Sequence, residues 1–149
     1  MSQYLLGARC LLWMANQDPS AMQWLATVKP SECILSDLSM AIAKAAVADK
    51  FQDLRERTGW FSLLDALYAN LRAAGASMLT SVDDKVLERY IEWRSFAPLE
   101  HRSAAGPVPL AQDIRLLIAT ADLLKATYVD PDDLYLTQAA ARGVSVKAL

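Results

Sequence analysis

The chain has 149 residues, about one domain's worth and enough to bury a core without covalent staples. Apolar residues make up 54% and the net charge is -2. That balance excludes a partner chosen by bulk charge alone, whether a polyanion or an anionic membrane.

In chain order, Tyr4, Leu5 and Leu6 are β-friendly and apolar, and residues 3–6 read as a short buried strand. Gly7 breaks it, and residues 9–16 read as a helix carrying Leu11, Leu12 and Trp13. Pro19 starts a second short helix with Met22, Trp24, Leu25 and Val28, which Pro30 ends. "CILS", residues 33–36, is a second strand. Met40, Ala43, Val47, Phe51 and Leu54 keep helical spacing and predict one long helix from about Ser39 to Arg57. Thr58 then caps a helix over 59–73 whose face includes Trp60, Leu63, Leu64, Leu67 and Leu71, and Gly75 closes it. "SMLT", residues 77–80, is a third strand.

Ser81 with Asp84 resembles a capping box opening a helix with Val82, Val86, Leu87, Tyr90 and Ile91 on one face. Residues 97–109 hold Pro98, Gly106, Pro107 and Pro109 and read as an irregular loop. Residues 111–126 form a strongly apolar helix, 127–129 a short strand, and 143–146 a final strand after a short helical piece. Strands separated by helices need crossovers, so the alternation predicts an α/β fold: a mainly parallel sheet of four or five strands flanked by helices on both faces. There is no internal repeat or linker, so residues 1–149 are expected to form a single domain.

Several chemistries are weakly served. Cys10 and Cys33 lie in apolar segments without a Cys-x-x-Cys spacing and read as two buried free thiols. With one histidine, His101, in a loop, neither a zinc site nor a Ser-His-Asp triad has its parts. Trp13, Trp24, Trp60 and Trp93 sit on apolar helical faces and read as core or interface rather than base-stacking platforms. Arg55, Arg57, Arg72, Arg89, Arg94 and Arg102 are interleaved with acids and form no basic block. No apolar run approaches the roughly 20 residues that span a bilayer. The first residues lack the basic, apolar and cleavage regions of a signal peptide, so a cytoplasmic protein without membrane contact is expected.

Three blocks carry a family resemblance. "YLLGARCLLWM", residues 4–14, is similar to the opening YLLDTNVLLWL of PIN domains, especially bacterial toxin ribonucleases of the VapC, FitB and plasmid-stability StbB type. "CILSDLSMAIAKAAV" resembles their second block and "PVPLAQDIRLLIATADLLKATYV" their third. The resemblance covers most of the chain and implies a PIN-like three-layer sandwich. It also implies acidic residues gathered at the strand ends to hold Mg²⁺ or Mn²⁺ for RNA cleavage.

Position by position, that signature is missing. The first acidic position of the family falls on Gly7, and the asparagine two residues later on Arg9. The second-block glutamate falls on Ile42. The third-block aspartate falls on Ile114 or Gln112, depending on the anchor, with Asp113 between them. The fourth position falls near Asp130 or Asp132. Arg9 opposes a metal as well: two unit charges 4 Å apart interact by about 4 kcal/mol at a surface-like dielectric, and a divalent ion doubles that.

The expectation is a degenerate PIN-like domain with no catalytic residues and no cofactor, working by binding. Arg9, Arg115, Trp13 and Met22 are its candidate contacts. The helical surface around Trp13, Met14, Met22 and Trp24 corresponds to the region the family uses for dimers and antitoxins, so a homodimer or a complex with an antitoxin-like or other protein is expected. Two alternatives stand beside it. One is an active Mg²⁺-dependent endoribonuclease using Asp113, Asp130 and Asp132; the other is RNA binding without cleavage at Arg9 and Arg115. Against a relocated metal cluster, Asp37 and Asp113 read as helix caps, and Asp130, Asp132 and Asp133 as a solvated turn beside Pro131.

Overall fold

The computed structural model describes residues 2–79, 83–94 and 99–149, without the side chains of Trp93 and Arg94. The chain runs β1 (Tyr4–Leu6), α1 (Ala8–Ala15), α2 (Pro19–Leu25), a 3₁₀ turn (Pro30–Glu32), β2 (Cys33–Ser36), α3 (Asp37–Lys50) and α4 (Leu54–Ala73). It continues through β3 (Ser77–Leu79), α5 (Asp84–Arg94), β4 (Glu100–His101), β5 (Val108–Pro109), α6 (Gln112–Leu124), β6 (Thr127–Asp130), α7 (Leu134–Ala141) and β7 (Val146–Ala148). Five strands form one sheet in the order β3-β2-β1-β6-β7, and every pairing in it is parallel. This is the expected α/β sandwich.

Alternation along the strands builds a core on each face. Leu6, Cys33, Leu35 and Val129 point to the side covered by α1, α2 and α4, where Leu11, Met14, Trp24, Leu64 and Leu71 meet them. Leu5, Ile34 and Tyr128 point to the other side, against Leu117, Ile118, Tyr135 and Leu136 of α6 and α7. Strands buried on both faces carry no polar alternation, which is why the sequence shows them as short apolar runs.

Several boundaries differ from the sequence reading. The single helix expected over 39–57 stops at Lys50, and α4 starts at Leu54, capped by Asp53 rather than Thr58. Asp53 Oδ1 accepts the Arg55 N–H at 2.8 Å. Arg57 donates back to the carbonyls of Phe51 and Ala48, satisfying the freed end of α3. The last strand is 146–148, not 143–146, and the loop over 97–109 contains the antiparallel pair β4–β5. Ser36, not Asp37, caps α3, accepting from the Leu38 and Ser39 N–H groups. Gly75 does close α4, at φ +114°, a conformation that favours glycine. Of the expected capping box, Ser81 lies outside the described residues, as do Val82 and Thr80; Asp83 accepts the Val86 N–H at 3.0 Å.

Candidate functional site

The parallel strands β1 and β6 end side by side, and the Gly7 N–H donates to the Val129 carbonyl at 2.8 Å, extending their ladder by one residue. Helix α1 begins at once, with Gly7 at its N-cap and no capping side chain of its own. Its free Cys10 N–H is taken instead by Asp130, whose Oδ1 accepts at 2.8 Å. A carboxylate at a helix N-terminus is favoured by the aligned peptide dipoles. The other oxygen, Oδ2, accepts from the hydroxyls of Tyr135 at 2.6 Å and Tyr128 at 3.1 Å. Asp130 is 1% exposed.

This carboxylate fills the space in front of Gly7. A Cβ at position 7 would stand 2.5 Å from Asp130 Oδ1, 2.6 Å from its Cγ and 2.6 Å from the Tyr128 hydroxyl. Burial pushes the Asp130 carboxyl up to about 6; its three hydrogen-bond donors and the charge of Arg9 oppose that shift without cancelling it. Burial also pushes both tyrosines above their ordinary values, which keeps them as O–H donors.

Arg9 lies beside this buried cluster, in hydrogen-bonding contact with the Tyr135 hydroxyl and close enough for its charge to act on Asp130. Its guanidinium donates to Asp133 Oδ2 at 2.8 Å. Asp133 Oδ1 accepts from the backbone N–H groups of Arg102 at 2.8 Å and Leu134 at 2.6 Å. Burial alone would raise this carboxyl; the two backbone donors and the Arg9 charge outweigh it and hold Asp133 below its ordinary value. The solvated acidic turn expected over 130–133 is therefore corrected: Asp130 and Asp133 are buried and bonded, and only Asp132 is exposed.

A cleft of about 400 Å³ opens beside Arg9, walled by His101, Arg102, Leu110, Ile114, Asp133 and Tyr135. A second cavity, of about 320 Å³ and also lined by Arg9, lies between α1 and the α3–α4 junction. Trp13, Lys50, Phe51 and Trp60 line it.

The remaining candidates fall as follows. Ile42 packs at the edge of both cores. Ile114 lines the cleft and Gln112 is exposed at the start of α6. Asp113 accepts the N–H of its own neighbour Ile114 at 2.8 Å, while α6 has Ala111 at its N-cap. Asp132 faces Arg102 at 3.4 Å. Arg115 is not among the residues that line the cleft; it lies beside Arg142, whose guanidinium is depressed by burial and then by the Arg115 charge. Of the expected contact face, Met14 and Trp24 are core residues, whereas Met22 is exposed and Trp13 half-buried. Cys10 and Cys33 are free and buried, with burial raising both thiols.

Residues of these types do not fit a divalent metal. Among the described residues no three acidic, histidine or cysteine side chains gather at one point. The oxygens of Asp130 are committed to three donors, and Asp133 is committed to a guanidinium. Tyr128, Tyr135 and Asp133 were not singled out as a site by the sequence. A glycine at a strand end, with Asp130 and Tyr135 following Tyr128 at the next strand's end, is the signal that could have found them.

No protein-family model matches the chain, and no curated protein matches it at significance. Solved structures do. FitAcB from Neisseria gonorrhoeae matches at 18% identity and a TM-score of 0.69, over 97% of this chain and 96% of that one. VapBC2 from Rickettsia felis, bound to a DNA fragment from its promoter, matches at 14% identity and a TM-score of 0.65, over 97% of each chain. VapC20 from Mycobacterium tuberculosis, a Sarcin-Ricin loop cleaving toxin, matches at 11% identity and a TM-score of 0.62, over 95% of this chain and 96% of that one. The fold is thus that of the VapC and FitB PIN-domain toxins. Among the described residues no helix is long and apolar enough to cross a membrane.

Proposed function

We propose that this chain with the fold of PIN-domain toxins is a catalytically degenerate, cytoplasmic member of a toxin–antitoxin or plasmid-stability system, acting by binding a protein partner rather than by cleaving RNA. One observation carries the reading: the space in front of Gly7 is filled by the buried Asp130 carboxylate, bonded to the Cys10 N–H and two tyrosine hydroxyls. A metal there would have to strip three hydrogen bonds from a 1% exposed group and settle near the Arg9 guanidinium. The solved structures with this fold include complexes named VapBC and one named as a toxin–antitoxin complex. An antitoxin-like partner suits that company, as does pairing with a second copy of the chain.

Titration calorimetry with Mg²⁺ and Mn²⁺, beside a ribonuclease assay with chelator controls, tests the reading. The expected result is neither specific metal binding nor metal-dependent cleavage. Chelator-sensitive cleavage that vanishes in Asp113→Asn or Asp130→Asn would establish the active endoribonuclease instead.

A further inference from the structure

The cavity between α1 and the α3–α4 junction has a one-sided chemistry. Its floor is apolar, with Leu12 on α1 and the buried Val47 on α3. Its walls are aromatic: Trp13 on one side, and on the other Phe51 stacked on Trp60 at 6.0 Å between ring centroids. Its charged lining residues are Arg9 and Lys50, and no acidic residue lines it. The two cations differ. Arg9 is neutralised by Asp133, whereas Lys50 lies 5.5 Å from the centre of the Phe51 ring and has no carboxylate within salt-bridge distance among the described residues. An apolar trough with an uncompensated ammonium on its rim complements a segment that is apolar and acidic together.

We propose that this groove docks a partner protein's segment in which Glu or Asp flanks a bulky aliphatic side chain, the aliphatic group entering between Trp13 and Phe51 and the carboxylate meeting Lys50. The inference deepens the binding-domain reading by naming the partner's chemistry at one site. Single-stranded RNA fits the groove less well. Phosphate recognition needs several cations in a row, and here one ammonium is uncompensated.

Fluorescence anisotropy on the full chain tests this with three labelled probes: a short Glu/Leu peptide, a Lys/Leu peptide with the same leucine spacing, and oligouridylate. The Glu/Leu peptide should bind at least about tenfold more tightly than the Lys/Leu peptide, and the difference should shrink in high salt. Lys50→Glu should invert that order, and Ala46→Trp, placing a large ring on an exposed lining residue, should weaken the acidic peptide by about tenfold. Both positions are exposed, and circular dichroism melts should show both variants cooperatively folded, with Lys50→Glu slightly less stable than the parent because it reverses the charge in the last turn of α3. Equal binding of the two peptides, no binding of the acidic one, preference for oligouridylate, or indifference to both substitutions would overturn the proposal. Its failure is separable from that of the binding-domain reading, which falls on chelator-sensitive RNA cleavage whatever the peptides do.

Discussion

Gly7 has φ -74° and ψ 165°, a backbone any residue adopts, so its lack of a side chain serves space rather than conformation. Gly7→Asp should therefore destabilise the fold by about 1–3 kcal/mol, the usual cost of overpacking a full site. Combined with Asp130→Ala, which clears the obstructing carboxylate, it should cost less than the two single changes added together. A double-mutant cycle by urea denaturation measures that coupling, and simple additivity would show that the two positions do not compete. Asp130 also makes a pH prediction. Its carboxyl lies at about 6 in the folded chain against an ordinary 3.8, so the folded state binds more protons than the unfolded state between those values. This contribution to stability is full below 3.8 and is lost as pH rises through 6. The melting temperature should rise as pH falls from neutrality toward 5, and Asp130→Asn should flatten that part of the profile. Asp133 acts in another window: its lowered carboxyl supports stability that disappears only in stronger acid. A profile of Asp130→Asn still rising toward pH 5 would assign the effect to another group.

At the scale of elements, the break between α3 and α4 decides whether the aromatic groove exists, because it turns Phe51 onto Trp60. Asp53 is the cap that starts α4, and Asp53→Ala should cost about 1 kcal/mol in chemical denaturation, the ordinary worth of an N-cap. An unchanged midpoint would mean that the Arg57 contacts to Phe51 and Ala48 hold the junction alone. The sequence hid this break for a physical reason: Phe51 and Leu54 continue the spacing of Met40, Ala43 and Val47, so periodicity reads straight through it. Asp53 followed by Glu56 was the available signal, a capping pattern inside an apolar period. The central strands, by contrast, were legible, since "YLL" and "CILS" are buried on both faces and bounded by breaks. The site was legible only as losses. Gly7, Arg9 and Ile42 could be seen to lack metal ligands, but a carboxylate arriving from Asp130 on a distant strand depends on sheet order, which local pattern does not encode. The same blindness made Asp133 look solvated, although Arg9 and the Arg102 backbone reach it across the fold.

For the whole molecule, the question is what covers its remaining apolar surface. A core on each side of the sheet accounts for much of the 54% apolar content, yet α5 keeps Ile91 63% and Leu87 43% exposed, one helical turn apart on a single face. Arg89 of the same helix reaches Asp122 of α6 at 3.6 Å, so α5 is anchored through its partner helix while that face stays open. Paired large aliphatics on an open helix face are commonly closed by a subunit contact, and two copies related by a two-fold axis bring identical faces together. Multi-angle light scattering at tens of micromolar should therefore give a mass about twice 16.4 kDa. Ile91→Lys should shift it to the monomer, because two-fold pairing buries the new charge opposite its own copy. Leu63→Lys, a large apolar residue 51% exposed on α4, should leave the dimer intact. A parent chain that scatters as a monomer would refute self-association. A dimer lost in Leu63→Lys and kept in Ile91→Lys would move the interface to α4, on the flank that also carries Trp60 and the aromatic groove.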